Sequence, residues 1–269
     1  MEELIKVIIL GIVEGITEFL PISSTGHLIV FTNLLNAEIA RLGGTFEIFI
    51  QFGAVIAVLI FYFGDIRTQI LTVHKDPVVQ RLWRNIIIAS IPLAITGFLF
   101  RDAIKEIFFN PLTIAIALII GGIIFILIER NPKPTTPDQT LDTITLKQAA
   151  IIGVFQTIAL IPGVSRSGIT IIVGLLGGIN RAVITQFTFY LAIPVLGGAT
   201  LIDLILSLDE LNGNDMLYLI IGAIVAGVVA WLSIRWLLTY ISKNSFMVFG
   251  YYRIMAGIVI LILLGANVL

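Results

Sequence analysis

The chain has 269 residues, of which 58% are hydrophobic and only 12% are charged, and its mean hydropathy is +1.07. A soluble domain carries about 25% charged residues, so this composition excludes an ordinary soluble domain and predicts a polytopic membrane protein. With a net charge of −1 and no basic run, no nucleic-acid partner is expected, and the absence of Cys excludes disulfides and thiolate chemistry.

A series of apolar segments predicts an all-α membrane domain over residues 1–269. Several are near the length of about 20 residues that a spanning helix needs. In chain order they cover residues 4–20, 27–36, 45–63, 84–100, 110–128, 146–161, 167–179, 185–207, 216–240 and 246–267.

Two pairs of segments predict re-entrant helix-loop-helix hairpins. The first pair is separated only by Pro21 to Gly26, and the second only by Pro162 to Arg166. The second arm of each pair is too short to cross about 30 Å of hydrocarbon at 1.5 Å per residue. Each proline is expected to end the helix before it, and such a break is tolerated at membrane depth only inside protein or beside a wet cavity.

The two hairpins align with each other at an offset of 142 residues, which indicates an internal repeat. The aligned pairs are Gly11 and Gly153, Ile16 and Ile158, Ser23 and Ser165, Gly26 and Gly168, Glu14 and Gln156, and Thr25 and Ser167. The polar, proline-rich stretch 130–142 is a linker in composition and joins halves 1–129 and 143–269. If each half crosses an odd number of times, the repeats have inverted topology, as in secondary transporters. Loop charges do not fix the orientation.

Glu14 and Glu18 are the first candidate site. Four residues apart on a helix, they lie on one face with Cβ atoms about 5–6 Å apart. Two carboxylates that close repel, and Mg²⁺ or Ca²⁺, which take oxygen ligands, would remove the repulsion. The alternative is an interfacial helix with both acids in water, but they lie deeper than Glu2 and Glu3. We interpret the pair as a divalent-metal site.

Ser23, Ser24 and Thr25 precede His27 in the first hairpin turn. Hydroxyls beside an imidazole are the minimum for an activated nucleophile, and we expect His27 to deprotonate Ser24. The sequence leaves open whether Ser23 or Ser24 attacks, and metal-bound water is the competing nucleophile. Alternatively, these hydroxyls are only helix N-caps.

The second hairpin turn predicts an anion site. A Gly-containing turn that leads into a helix offers backbone N–H groups and a positive dipole end, and Ser165, Ser167, Gly168 and Thr170 surround it. Arg166 adds a planar fork suited to phosphate. The alternative is an interfacial arginine with serine caps.

Other positions have weaker signals. His74 is expected in a solvated loop, and the pairs Gly11/Gly15 and Gly174/Gly178 are expected at close helix contacts. Five polar residues could line a cavity or serve structural roles: Gln51, Arg181, Gln186, Asp203 and Arg253.

Together, the two turns supply the carboxylates, hydroxyls, imidazole and guanidinium that phosphoryl transfer requires. Because the site is expected inside the membrane, the substrate is expected to carry a lipid tail. The segments Glu14–His27 and Pro162–Thr170 closely resemble the two signatures of the bacterial undecaprenyl-diphosphate phosphatase family, often called the bacitracin-resistance protein. The resemblance implies hydrolysis of the C55 isoprenoid diphosphate to its monophosphate, which recycles the lipid carrier for cell-wall synthesis. It also implies a divalent-cation requirement, a bacterial inner-membrane location, a site open to the outer face, and bacitracin resistance on overexpression.

The resemblance assigns roles by motif position. The implied catalytic residues are Glu14, Glu18, Ser24, His27 and Arg166, with Ser23, Thr25, Ser165, Ser167, Gly168 and Thr170 as substrate-binding residues and Glu14 and Glu18 as metal ligands. The rival hypothesis is a transporter or flippase of a phosphorylated isoprenoid lipid, because inverted broken helices are transporter architecture. The sequence leaves open whether two copies form a homodimer.

Overall fold

The fold is all-α, as the sequence predicts. A computed structural model describes residues 1–38, 45–136, 138–207 and 213–269, except the side chains of Arg101, Asp102, Lys105, Ser207 and Asn214. Pro137 of the predicted linker lies outside the described residues. The described helices are α1 (Glu2–Thr17), α2 (Ser24–Leu35), α3 (Thr45–Phe61), α4 (Phe63–Thr72), α5 (Pro77–Phe108), α6 (Pro111–Arg130), α7 (Leu146–Gln156), α8 (Arg166–Leu176), α9 (Arg181–Ser207), α10 (Gly213–Ile241) and α11 (Met247–Gly265), with 3-10 turns at Leu141–Thr143 and Thr157–Leu160.

The long helices make this a multi-pass membrane protein. Five of the described helices, α5, α6, α9, α10 and α11, are long and apolar enough to cross a membrane. Helices α3 and α4 qualify as a sixth span when taken together, although they are bent by 75° at the break between them. The sequence did not predict α4, because its composition is more polar than that of the apolar segments around it.

Both predicted hairpins are present. Helix α2 has 12 residues and α8 has 11, which correspond to about 18 and 17 Å, so neither crosses the hydrocarbon. Helix α1 ends at Thr17, four residues before Pro21, but Glu18 keeps a helical conformation and its N–H donates to the Glu14 carbonyl at 2.9 Å. Glu14 and Glu18 therefore share one helical face, as expected.

The two hairpin turns have the same unusual backbone. Ser23 and Ser165 have φ angles of 72° and 73°, a region that residues other than glycine rarely adopt. Each caps the following helix, because Ser23 Oγ accepts from the Gly26 N–H at 3.4 Å and Ser165 Oγ from the Gly168 N–H at 3.0 Å. The N-cap alternative thus holds for both serines. Their equivalence at the predicted offset supports the repeat, which remains a prediction.

Each hairpin packs against a long helix of the other half. Helix α1 packs on α10 and α7 on α5, while α6 packs on α11 and α3 on α9 and α10. A Cβ at Gly15 would lie 2.6 Å from the Ala226 carbonyl oxygen, so the predicted glycine contact of α1 is confirmed. Gly178 was predicted at a helix contact and this was wrong, because it has a φ of 75° in the turn after α8.

Candidate active site

The two hairpin turns meet directly. Ser167, at the start of α8, donates to the main-chain oxygens of Leu20 at 3.1 Å and Glu18 at 3.3 Å. Arg166 Nη2 reaches the Glu18 Oε1 atom at 3.0 Å, and its Nη1 donates to the Thr188 carbonyl at 3.1 Å. Both side chains of this ion pair are nearly buried. The turns of the two halves therefore form one site.

Ser24 belongs to this ion pair rather than to the imidazole. Its hydroxyl donates to Glu18 Oε2, so one carboxylate accepts Ser24 on one oxygen and Arg166 on the other. The sequence predicted His27 as the proton acceptor of Ser24, and the structure gives Ser24 a different partner. The reason is that Glu18 sits at the end of α1, where the chain turns back toward Ser24.

The His27 ring has two other partners. Nδ1 lies 2.7 Å from the Ser23 carbonyl oxygen, and Nε2 lies 2.7 Å from the Tyr252 hydroxyl. The His27 main-chain N–H also donates to the Ser23 carbonyl at 3.2 Å. His27 thus holds the carbonyl of the unusual turn that carries Ser24.

Glu14 has the chemistry of an open cation site. Its side chain is fully buried, and among the described residues no hydrogen-bond donor reaches either carboxylate oxygen. Glu18 lies close enough to act on it electrostatically, as do Arg166 and Glu47 of α3, which the sequence had not singled out. A buried carboxylate that accepts no hydrogen bond and lies near a second carboxylate is suited to bind a hard divalent cation. Within the described part of the chain no third His, Asp or Glu completes a metal cluster.

Part of the predicted anion cradle is already used within the protein. Ser165 caps α8 and hydrogen-bonds Ser167 at 3.0 Å, and the Gly168 N–H is consumed by that cap. Two buried polar groups at the start of α8, Arg166 Nε and Thr170 Oγ1, have no hydrogen-bond partner among the described residues. Thr25 lies at the start of α2 and is half-buried. The groups left for a substrate are thus fewer than the sequence predicted.

Arg253 hydrogen-bonds the main chain of both hairpin turns. It is fully buried in α11, and its Nη1 donates to the Pro21 carbonyl at 3.0 Å. Nη2 donates to the carbonyls of Gly163 at 2.9 Å and Val164 at 3.0 Å. Further bonds reach α6 carbonyls at Ala117 and Leu118. The carbonyls of Pro21, Gly163 and Val164 lie in the non-helical turns, where main-chain oxygens buried in a membrane protein need a protein donor, and Arg253 supplies it.

Three other weak candidates, Arg181, His74 and Gln186, lie outside this site. Arg181 pairs with the buried Glu129 at 2.5 Å, which joins the starts of α9 and α11 to the end of α6 because Glu129 also accepts from the Phe246 N–H. His74 is exposed in the loop between α4 and α5, as expected. Gln186 lines a cavity of about 470 Å³ at the linker, to which no hairpin-turn residue contributes.

Comparison with known proteins agrees with this arrangement. Residues 7–259 match the model of the family described as Bacitracin resistance protein BacA. The chain is 45% identical over 265 residues to the undecaprenyl-diphosphatase of Deinococcus radiodurans, with 97% of this chain and 96% of the relative covered. It is 46% identical over 262 residues to that of Dechloromonas aromatica, covering 96% and 93%. It is also 44% identical over 263 residues to undecaprenyl-diphosphatase 1 of Clostridioides difficile, covering 96% and 95%. With most of its length matched and its two signatures joined in one site, the chain belongs to the bacitracin resistance protein BacA family.

Proposed function

We propose that this protein hydrolyses undecaprenyl diphosphate to undecaprenyl phosphate and inorganic phosphate. Its relatives carry the name undecaprenyl-diphosphatase, and none of those compared is named a transporter. The observation that carries the proposal is the buried array of Ser24, Glu18 and Arg166, which combines a hydroxyl, a proton acceptor and a phosphate-binding cation. A transporter would need the arginine but not a hydroxyl hydrogen-bonded to a carboxylate.

Ser24 is the proposed nucleophile. Its Oγ attacks the terminal phosphorus while its proton passes to Glu18 Oε2, and the bond from that phosphorus to the bridging oxygen breaks. Glu18 then returns the proton to the departing lipid monophosphate. In the second half-reaction Glu18 takes a proton from water, which attacks the phosphoserine, and that proton goes back to Ser24 Oγ as inorganic phosphate leaves.

Arg166 is the proposed phosphate ligand. Its Nε and the hydroxyl of Thr170 are buried and have no partner within the part of the chain that the structure describes. An unpaired buried donor is costly, and phosphate oxygens would satisfy both groups. Arg166 would therefore bind the terminal phosphate and stabilise the charge that shifts among its oxygens, while Nη2 keeps Glu18 oriented.

A divalent cation, Mg²⁺ or Ca²⁺, is proposed at Glu14 and Glu18. Both oxygens of Glu14 are open, whereas those of Glu18 already accept from Ser24 and Arg166. Glu14 would thus be the principal protein ligand. Mg²⁺ in particular is often bound by one or two protein carboxylates together with the phosphate oxygens of a substrate. When bound, the ion supplies positive charge to the diphosphate oxygens. Every protein group in this scheme comes from one chain, so the chemistry does not require a homodimer.

We infer that the site opens to the outer face of a bacterial inner membrane. Gln139 of the linker hydrogen-bonds Gly178 and Asn180 between α8 and α9, and Asn85 of α5 donates to the Ile144 carbonyl, so these segments share one end of the bundle. Most basic residues lie at this end: Arg67, Lys75, Arg81, Arg84, Arg130, Lys133, Lys147, Arg181, Arg235 and Lys243. The order of the charges along the chain did not fix the orientation, but the fold gathers these loops at one end, and the positive-inside rule then favours this end as the cytoplasmic one. If each long helix crosses once, the α1–α2 hairpin enters from the opposite, outer face.

The proposed mechanism is tested by trapping phosphate on the protein. Purified wild-type protein is mixed with undecaprenyl diphosphate carrying a labelled terminal phosphate, and the reaction is quenched with acid within milliseconds. We expect label on Ser24 and a loss of at least about 10³-fold in turnover for Ser24→Ala. Ser233→Ala is the matched control, because among the described residues that hydroxyl donates to the Val229 carbonyl of its own helix and to no other group. Substantial turnover in Ser24→Ala, with no label on the wild-type chain, would assign the attack to water instead.

A further inference from the structure

Tyr252 contacts the site from α11, far along the chain from the two signatures. Its hydroxyl lies 2.7 Å from His27 Nε2, and the two rings stack with centroids 5.7 Å apart and an interplanar angle of 12°. Tyr252 is part-buried, whereas the side chain of the adjacent Tyr251 in the same helix is 52% exposed. The two neighbouring tyrosines therefore have different surroundings.

The partners of the imidazole determine where its proton lies. The Ser23 carbonyl can only accept, so Nδ1 carries the hydrogen and donates to it. In the neutral ring Nε2 then has a free lone pair, and the Tyr252 hydroxyl donates to it. Both nitrogens of His27 are thus engaged, and the ring has neither a free position nor a contact with the Ser24 hydroxyl, which donates to Glu18.

The position of the ring matters because of the bond that it makes to Ser23. Ser23 has a φ of 72°, and its carbonyl accepts both the main-chain N–H and the Nδ1–H of His27. Residues other than glycine rarely adopt this region, and it persists only where surrounding contacts hold it. The next residue is Ser24, whose hydroxyl must point at Glu18.

We propose that Tyr252 is a positioning residue for the hydrolysis: by donating to His27 Nε2 it holds the imidazole against the Ser23 carbonyl and so orients the Ser24 hydroxyl. Tyr252 touches no reacting atom, and its effect passes through His27 and the turn. This role rests on the proposed function only for its kinetic consequence. The hydrogen bond and the state of the imidazole are properties of the folded protein alone.

The proposal predicts a specific pattern for Tyr252→Phe, which removes one oxygen and keeps the ring stack. We expect kcat to fall about three- to tenfold, the range for loss of one neutral hydrogen bond, with KM changed less than twofold. Tyr251→Phe, the matched control at the neighbouring position, should keep wild-type kcat and KM. A rise in KM at unchanged kcat would place Tyr252 on the substrate and overturn the positioning role.

A second measurement detects the hydrogen bonding of the His27 imidazole directly and does not require turnover. The chain has two histidines, so ¹⁵N-histidine labelling gives a spectrum of His27 and His74 alone, with exposed His74 as the internal reference. Tyr252→Phe should shift the Nε2 signal of His27 and leave His74 unchanged. Substituting 3,5-difluorotyrosine at position 252, which keeps the hydroxyl but changes its donor strength, should shift the same signal. An unchanged His27 signal in both proteins overturns the proposal, whereas a wild-type protein that releases no phosphate overturns the proposed function.

Discussion

Replacing Arg253 should separate the assembly of the hairpin turns from the chemistry that they carry. The guanidinium donates to five main-chain oxygens, on both hairpin turns and on α6. A lysine ammonium has three donors, so Arg253→Lys loses at least two of these five hydrogen bonds. At about 1.5 kcal/mol for each hydrogen bond to a charged group, the loss is about 3 kcal/mol. For a chain of this size that corresponds to a melting temperature lower by roughly 6–12 °C.

A glycine substitution disturbs the same group without changing any charge. A Cβ at Gly121 would lie 2.7 Å from Arg253 Cζ and still closer to Nη2, so Gly121→Ala must displace the guanidinium. Gly198→Ala is the control, because a Cβ there meets nothing within 4 Å. We expect Gly121→Ala to lower both the melting temperature and the turnover per folded molecule, and Gly198→Ala to change neither.

Thermal unfolding in detergent and phosphate release from the folded fraction measure the two effects. Because Arg253 joins the turns that bear Ser24 and Arg166, turnover should fall in both Arg253→Lys and Gly121→Ala even well below their melting temperatures. If both variants melt within about 2 °C of wild type and turn over normally, Arg253 does not hold the turns together and the reasoning is wrong.

Three further predictions concern the ion pair, the cation and the orientation. Arg166→Lys keeps the charge but cannot reach both Glu18 and the Thr188 carbonyl, so kcat/KM should fall by about 10²–10³-fold; near-normal hydrolysis would make Arg166 a purely structural cation. Glu14→Gln should abolish most turnover without loss of folding, and chelator should mimic it in wild type with recovery on adding Mg²⁺ or Ca²⁺. Full activity in excess chelator would remove the metal from the account. Because the chain has no Cys, single cysteines can replace Lys6 and Lys243, and an impermeant thiol reagent applied to intact cells should label only the first; labelling of the second alone would reverse the orientation.

Local sequence patterns were sufficient for the apolar helices and for the two turns, but not for the more polar α4. The hairpins follow from short apolar arms around Pro21 and Pro162, and the intramembrane carboxylates are rare enough to mark the site. The partners within the site were harder to predict. Ser24 was paired with His27 on the basis of proximity in sequence, whereas the turn after α1 brings the Glu18 carboxylate to it.

Contacts between distant parts of the chain had no local signal. Arg253 is 232 residues from Pro21, and Tyr252 is 225 residues from His27. Arg253 was named only as a residue that could line a cavity or serve a structural role, and the sequence did not indicate that it hydrogen-bonds both hairpin turns. Tyr252 could not have been found from the sequence, since a tyrosine is ordinary in an apolar helix and only its contact with the imidazole distinguishes it.

Phosphate release by purified protein tests the central claim most directly. Wild type, Ser24→Ala and Arg166→Lys are reconstituted into liposomes with undecaprenyl diphosphate, and inorganic phosphate and the lipid products are measured together. The proposed function predicts one phosphate and one undecaprenyl phosphate for each substrate consumed by wild type, and a severe loss in both variants. Intact diphosphate that is only moved across the bilayer, with no phosphate released, would contradict it and establish a transporter.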